Sequence, residues 1–270
     1  VCAALGSGVV REGQGVISTG TAEVLSTVFP SPVLHEDMFE GGYPCYLFAR
    51  ADSYFTFSLN HVGGLLLRWY RDNFCEADTR RAEERGEDAY DYLIGRMPEG
   101  PSPVFFLPHL NGSGNPTCDN RSRGAVVGLT MSTGRYDLVR AILESQTYEL
   151  RTNFETFRRI GIDVRRLFAV GGGSRSPAWL QIKADVLNQP VTTVNVREAA
   201  ACLGAALLAG TAAGVYGSVE EGVGRTVRTE RTYEPAADRA ARYEERYQLY
   251  RGLYPALAPF YARMAGSSGG

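Results

Sequence analysis

Three consecutive glycines (Gly171, Gly172 and Gly173) form the part of this sequence best suited to bind a nucleotide. An apolar run at 167–170 precedes them and predicts a short buried strand, and residues 178–187 predict a helix after them. Residues without a Cβ atom let a flat base or a phosphate lie against the main chain, and the first turn of a helix offers unpaired N–H donors. Strand, glycine turn and helix also occur in α/β connections that bind no ligand, so this motif alone leaves binding open.

A second turn, Thr19, Gly20 and Thr21, combines a flexible glycine with two hydroxyl groups. Apolar and β-branched residues at 16–18 and 24–29 flank it and predict two strands joined as a hairpin. Backbone N–H and side-chain O–H groups in such a turn can hold the β- and γ-phosphates of a nucleotide. The alternative is a plain hairpin in which the glycine only supplies the turn geometry.

The composition is that of an ordinary globular protein. The 270 residues are 44% hydrophobic and 21% charged, and the net charge of −2 provides no basic excess for nucleic acid or an anionic membrane.

Five cysteines without a CxxC pair predict neither a disulfide framework nor a zinc site, and they favour reduced thiols in the cytoplasm. The isolated His35, His61 and His109 lack metal-site spacing, so no metal ligand is assigned. The longest apolar run, 199–215, is short for a membrane span and predicts a buried helix of small residues.

The elements that must position the two turns follow a recognisable order. Strand signals dominate residues 9–58, and the charged stretch 76–92 predicts a helix. Apolar residues recur at helical spacing over 135–159, which predicts the longest helix. Strands and helices then alternate over 167–213, and 233–264 predicts closing helices. This order predicts an α/β fold, a mixed sheet flanked by helices.

Seven short motifs occur in a fixed order: residues 3–8 (AALGSG), 19–21 (TGT), 106–112 (FLPHLNG), 123–129 (RGAVVGL), 140–144 (RAILE), the glycine turn with Trp179, Gln181, Ala184 and Asp185, and Glu198 followed by 203–206 (LGAA). Together they resemble the C-terminal lobe of the FGGY family of carbohydrate kinases along most of the chain. The resemblance implies a ribonuclease-H-like lobe of the actin/Hsp70 ATPase type, with ATP bound in a cleft between two lobes.

The resemblance implies nucleotide contacts by nine residues: Thr19, Gly20, Thr21, Gly64, Arg68, Gly171, Gly172, Gly173 and Ser176. Gly64 and Arg68 lie in a segment that looks like the one where glycerol kinases touch the nucleotide through a glycine and a glutamine one turn later. Here Arg68 stands in place of the glutamine, so we expect it to pair with phosphate, a solvent-exposed arginine being the alternative. Gly172 and Ser176 match adenosine contacts of the family, and Ser176 replaces an asparagine.

No catalytic residue is assigned within the chain. In the family a general-base aspartate lies in a Gly-x-x-Asp-x word before the segment that matches residues 3–8, and we expect it just upstream of Val1. The family's sugar-binding residues and Mg²⁺-coordinating carboxylates belong largely to an N-terminal lobe. The implied partners are ATP with Mg²⁺, a small sugar or polyol and the N-terminal lobe of the same protein. A homodimer is compatible with the resemblance, and neither nucleic acid nor a membrane is expected.

We therefore expect residues 1–232 to form the nucleotide-binding domain and residues 233–270 to form a helical segment packed on it. The full-length protein is expected to transfer the γ-phosphoryl group of ATP to a sugar or polyol, with pentuloses such as xylulose favoured, and this chain alone is expected to be inactive. A stand-alone nucleotide-binding or regulatory module without catalysis is the alternative from another class. An actin-like or chaperone-type ATPase is a further alternative, which depends only on analogy of fold.

Overall fold

The computed structural model describes residues 1–267 and places most strands of this region in one mixed sheet. The strands are β1 (Gly13–Thr19), β2 (Glu23–Phe29), β3 (Tyr46–Leu47), β4 (Tyr54–Asn60), β5 (Phe105–Leu107), β6 (Ala125–Val127), β7 (Val164–Val170), β8 (Val191–Val194) and β9 (Thr229–Tyr233). The main sheet has seven strands in the order β3-β4-β2-β1-β7-β8-β9, and β5 pairs with β6 in a small separate sheet.

Helices cover both faces of the main sheet. They are α1 (Cys2–Gly6), α2 (Glu36–Glu40), α3 (Gly64–Phe74), α4 (Glu76–Glu84), α5 (Ala89–Ile94), α6 (Arg135–Arg159), α7 (Pro177–Leu187), α8 (Ala200–Ala212), α9 (Val219–Thr226), α10 (Ala237–Tyr250) and α11 (Leu253–Ser267). A single 3₁₀ turn, Gly172–Arg175, precedes α7. The expected mixed sheet flanked by helices is therefore confirmed.

The centre of the sheet brings the two predicted turns together. Strands β1 and β7 are parallel neighbours, and Ser18 of β1 pairs with Val170 of β7. Parallel strands end at the same edge of a sheet, so the turn that follows each strand leaves the sheet beside the other. Residues 19–21 and 171–173 thus lie next to each other although some 150 positions separate them in the sequence.

The long helix α6 supplies much of the core, because one of its faces is apolar along most of its length. Val139, Leu143, Phe154 and Phe157 are each almost completely buried. This helix matches the predicted range of 135–159 because its hydrophobic period continues for seven turns.

Helix α8 differs from the expectation of a buried helix. Ala200, Gly204 and Leu207 are buried on one face, and most of the other residues of this helix are half-buried or exposed. Close packing against α1 requires a glycine at position 204, because a Cβ there would lie 1.9 Å from the carbonyl oxygen of Cys2. An apolar composition without periodicity does not reveal which face is covered.

Two further expectations about elements are wrong. The charged stretch 76–92 is two helices, because the chain turns at Gly86 (φ +65°) and Asp88 caps the start of α5. The closing helices begin at Ala237, since Tyr233 is the last residue of β9. Four of the five residues in β9 are exposed, so this edge strand lacks the apolar alternation that signals a strand. No helix in residues 1–267 is long and apolar enough to cross a membrane.

Candidate functional site

A cavity of about 690 Å³ opens at the sheet edge where β1 and β7 end. Its lining includes all nine residues expected to contact a nucleotide: Thr19, Gly20, Thr21, Gly64, Arg68, Gly171, Gly172, Gly173 and Ser176. The other lining residues are Leu65, Leu67, Asp88, Tyr90, Asp91, Ile94, Arg175, Trp179 and Glu198. The volume is in the range of pockets that hold a ligand of nucleotide size.

The turn after β1 is attached to the start of α3 through its backbone. The carbonyl oxygen of Gly20 accepts a 2.8 Å hydrogen bond from the N–H of Gly64, and that of Thr21 accepts one of 2.7 Å from Gly63. This close approach requires a glycine at position 63, the residue before α3, because a Cβ there would lie 2.5 Å from the backbone of Ala22. Residues 19–21 and 63–64 are therefore joined by their backbones on one side of the cavity.

The two threonines of this turn have different environments. Thr19 is buried, and its hydroxyl donates to Glu23 Oε1 at 2.8 Å and accepts from Lys183 Nζ at 2.5 Å. This hydroxyl is therefore paired with interior side chains, and the expected contact of Thr19 with a nucleotide stays a prediction. Thr21 is exposed at the cavity and can supply the hydroxyl that Thr19 does not.

The three glycines of the turn after β7 also have distinct surroundings. Gly171 has φ +82°, and a Cβ there would lie 2.5 Å from the carbonyl oxygen of Thr19. A Cβ at Gly173 would lie 2.6 Å from the Thr19 Cγ2 methyl group. A Cβ at Gly172 would have no atom of the described residues, 1–267, within 4 Å. Gly171 and Gly173 thus allow the two turns to touch, and Gly172 leaves an open strip of main chain at the cavity.

Ser176 and Arg68 complete the predicted set. Ser176 caps α7, because its Oγ accepts a 3.3 Å hydrogen bond from the N–H of Trp179. Arg68 is exposed, lies one turn beyond Gly64 in α3, and forms no hydrogen bond or ion pair with any residue from 1 to 267. Its guanidinium is free to pair with an anion, which is the arrangement expected of a phosphate contact.

Sequence reasoning missed the wall that α5 contributes. Asp88, Tyr90, Asp91 and Ile94 all line the cavity. Asp88 caps the helix by accepting hydrogen bonds from the N–H groups of Tyr90 (2.8 Å) and Asp91 (3.2 Å). The charge pattern of 76–92 predicts one helix, so it does not reveal this wall. The signal that could have revealed it is Gly86 followed by Asp88, because a glycine often ends a helix and an aspartate often starts the next.

The lining carries charges of both signs. Arg175 and Glu198 form an exposed ion pair at the cavity. Within residues 1–267, no cluster of three or more His, Cys, Asp or Glu side chains could hold a metal ion.

Comparison with known proteins gives the family to which this fold and cavity belong. The profile of the FGGY family of carbohydrate kinases, C-terminal domain, matches residues 15–213. The chain belongs to this family.

Individual relatives agree with this assignment. The chain is 28% identical over 253 residues to the xylulose kinase of Bacillus subtilis (strain 168), a match that covers 94% of this chain and 48% of that protein. It is 30% identical over 270 residues to the gluconokinase of the same strain, covering 97% of this chain and 50% of that protein. The chain thus spans about half the length of the curated relatives it matches.

A solved structure supports the fold. The crystal structure of a xyloylose kinase from Brucella ovis superposes with a TM-score of 0.82 at 29% identity, over 95% of this chain and 50% of that chain. The expected lobe of the actin/Hsp70 ATPase type is thereby confirmed.

Proposed function

We propose that the cavity at the ends of β1 and β7 binds ATP. The observation that carries the proposal is the meeting of two glycine turns at one sheet edge, one open at Gly172 and the other presenting Thr21 beside Arg68. The adenosine would lie along the glycine strip and Ser176, in the cavity that α5 also lines. The phosphates would lie against residues 19–21, where Arg68 supplies charge-assisted hydrogen bonds. The Mg²⁺ ion would enter with the nucleotide.

We further propose that the full-length protein is an ATP-dependent carbohydrate kinase. In phosphoryl transfer a protein chiefly holds the phosphates, neutralises their charge and places a base at the attacking hydroxyl. The residues of this chain serve the first two tasks. The base and the sugar contacts are proposed to belong to another lobe of the protein. The names of the relatives, xylulose kinase and gluconokinase, support a sugar or sugar acid as substrate, and we favour a pentulose such as xylulose.

The proposal keeps residues 1–232 as the nucleotide-binding unit, with the following segment packed on it. Tyr243, Tyr247 and Tyr250 of α10 support this packing, because all three are buried against the same core as α6 and α7.

The cysteines of residues 1–267 are all free, which is compatible with a reducing compartment such as the cytoplasm.

Calorimetric titration of the chain with MgATP tests the proposed site. We expect saturable binding of one nucleotide per chain, and we expect Gly172→Val to weaken it at least about tenfold by filling the open strip with a branched side chain. Gly224→Val is the matched control, because Gly224 also has no atom within 4 Å of a Cβ but lies in α9, outside the cavity.

Two results would contradict the site. One is wild-type chain that fails to bind MgATP at millimolar concentration. The other is Gly172→Val chain that binds as tightly as the Gly224→Val control.

Sugar-dependent ADP release, measured with a panel of ketoses, polyols and sugar acids, tests the kinase proposal. We expect turnover by the full-length protein and none by this chain, because a positioned general base contributes about 10²–10⁴ in rate. A full-length protein that binds ATP but phosphorylates no member of the panel would favour the alternative, a regulatory module. Sugar-dependent turnover by the isolated chain would contradict the proposed division of tasks.

A further inference from the structure

Lys183 is the only lysine in the sequence, and the other 27 basic residues are arginines. It lies in the middle of α7, the helix that begins at the cavity, and its side chain is only 1% exposed. Lysine is among the residues least often buried completely. A chain that uses arginine everywhere else therefore places its one ammonium group in the interior.

The ammonium group closes a triangle of three buried side chains. Its Nζ lies 2.5 Å from Glu23 Oε1 and 2.5 Å from Thr19 Oγ1, and the Thr19 hydroxyl donates to the same Glu23 oxygen at 2.8 Å. Nζ also lies over the Trp179 ring, 4.5 Å from the ring centroid. A compact ammonium can fill this space, whereas the planar guanidinium of arginine is larger and needs a forked partner.

Stability alone does not account for the triangle. Removing two charges from water costs free energy, and an apolar pair of similar volume is often equally stable or more so. The other carboxylate oxygen, Glu23 Oε2, is buried and has no hydrogen-bond partner among residues 1–267, which adds to the cost. The benefit of the triangle must therefore lie in what its three members hold in place.

The members come from both walls of the cavity. Thr19 and Glu23 face each other across the β1–β2 hairpin and enclose residues 20–22, the turn expected to hold phosphate. Lys183 extends from the helix whose N-terminal residues, Ser176 and Trp179, line the adenosine side. One buried ammonium thus ties the turn after β1 to the helix after β7.

We propose that Lys183 is a positioning residue that holds the 19–23 turn in its phosphate-binding geometry relative to α7. This inference rests on the proposed ATP site. A turn fixed before the ligand arrives needs less ordering on binding, so loss of the tie should weaken the contacts to phosphate and spare those to adenosine.

The double variant Lys183→Met/Glu23→Leu separates positioning from stability. We expect a free energy of unfolding equal to or above that of the wild type, MgATP affinity about tenfold weaker, and adenosine affinity within about twofold of the wild type. Arg239→Leu is the matched control. It breaks the ion pair of Arg239 with Asp185, two positions further along α7 and outside the cavity, and should leave MgATP affinity unchanged. If the apolar pair fails to fold, Lys183→Met/Glu23→Gln provides the same comparison.

Hydrogen exchange of the ligand-free chain provides a readout that needs no nucleotide. The amides of Gly20, Gly63 and Gly64 are hydrogen-bonded within or to this turn, and we expect them to exchange at least about tenfold faster in the double variant at unchanged global stability. Unchanged exchange at this turn overturns the inference even if the wild type binds no ATP, so its failure is distinct from failure of the proposed function. Equal weakening of ATP and adenosine, or wild-type affinity for both, also overturns it.

Discussion

Gly171 and Gly173 face Thr19, and Gly172 faces the cavity, so three adjacent glycines have two different functions. Gly171 and Gly173 permit the backbones of neighbouring turns to touch, and Gly172 keeps a strip of main chain accessible. The sequence alone predicted the glycine turn as a binding element. It could not distinguish the three residues, because the distinction depends on Thr19, which lies far away along the chain.

Substitution by alanine should separate these functions at single residues. Gly171→Ala combines a positive φ with a steric clash against the Thr19 carbonyl, and we expect a loss of about 2–4 kcal/mol in the free energy of unfolding. Gly172→Ala should change it by less than about 1 kcal/mol, since its Cβ meets no atom within 4 Å. Urea denaturation measures both values. Equal losses for the two variants would contradict the assigned environments.

Arg68 provides a second prediction at the residue scale. Arg68→Leu removes a free guanidinium from the cavity, and we expect MgATP affinity to fall about tenfold, corresponding to one charge-assisted hydrogen bond to phosphate. Adenosine affinity should stay the same. Arg11→Leu, at an exposed arginine outside the cavity, is the control. A loss of affinity for adenosine equal to that for MgATP would show that Arg68 does not contact phosphate.

At the scale of elements, the cavity depends on helices that are held from a distance. Helix α5 forms one wall and packs against α4 and α6, and α4 is joined to α6 through the buried carboxylate of Asp78. Asp78 accepts hydrogen bonds from Arg135 at 2.7 Å and from Tyr136 at 3.0 Å, both in the first turn of α6. The sequence predicted α6 well because its period is long. It did not predict this connection, because no local pattern links positions 78 and 135.

The connection should make stability depend on acid pH. Burial alone would raise the pKa of Asp78, but the hydrogen bonds from Arg135 and Tyr136 outweigh it and lower that pKa. A carboxylate with a lowered pKa in the folded state stabilises the fold above its unfolded pKa of about 3.9, and this contribution is lost as the pH falls through the folded pKa. We expect Asp78→Asn to cost about 2 kcal/mol at pH 7 and clearly less at pH 3.

Urea denaturation at the two pH values checks this expectation. Asp163→Asn is the control, because Asp163 pairs with Arg165 in an exposed ion pair and should contribute less than about 1 kcal/mol at either pH. A cost for Asp78→Asn that does not change between pH 7 and pH 3 would contradict the role of the charge.

At the scale of the whole molecule, the order of short motifs along the sequence predicted the lobe and half of the residues that line its cavity. Motifs that recur in a family encode the turns at the sheet edge, so they could be found without a structure. The α5 wall and the triangle of Thr19, Glu23 and Lys183 could not be found in this way, because both arise from tertiary contacts. Two signals were available in the sequence: Gly86 followed by Asp88 marks the start of α5, and Lys183 is the only lysine.

A crystal structure of the chain with Mg²⁺ and a non-hydrolysable ATP analogue tests the central claim most directly. We predict adenosine against residues 171–176 and the phosphates beside residues 19–21, with Arg68 in contact with a phosphate oxygen. A nucleotide bound elsewhere on the lobe, or no nucleotide in the cavity at a saturating concentration of the analogue, would contradict the account.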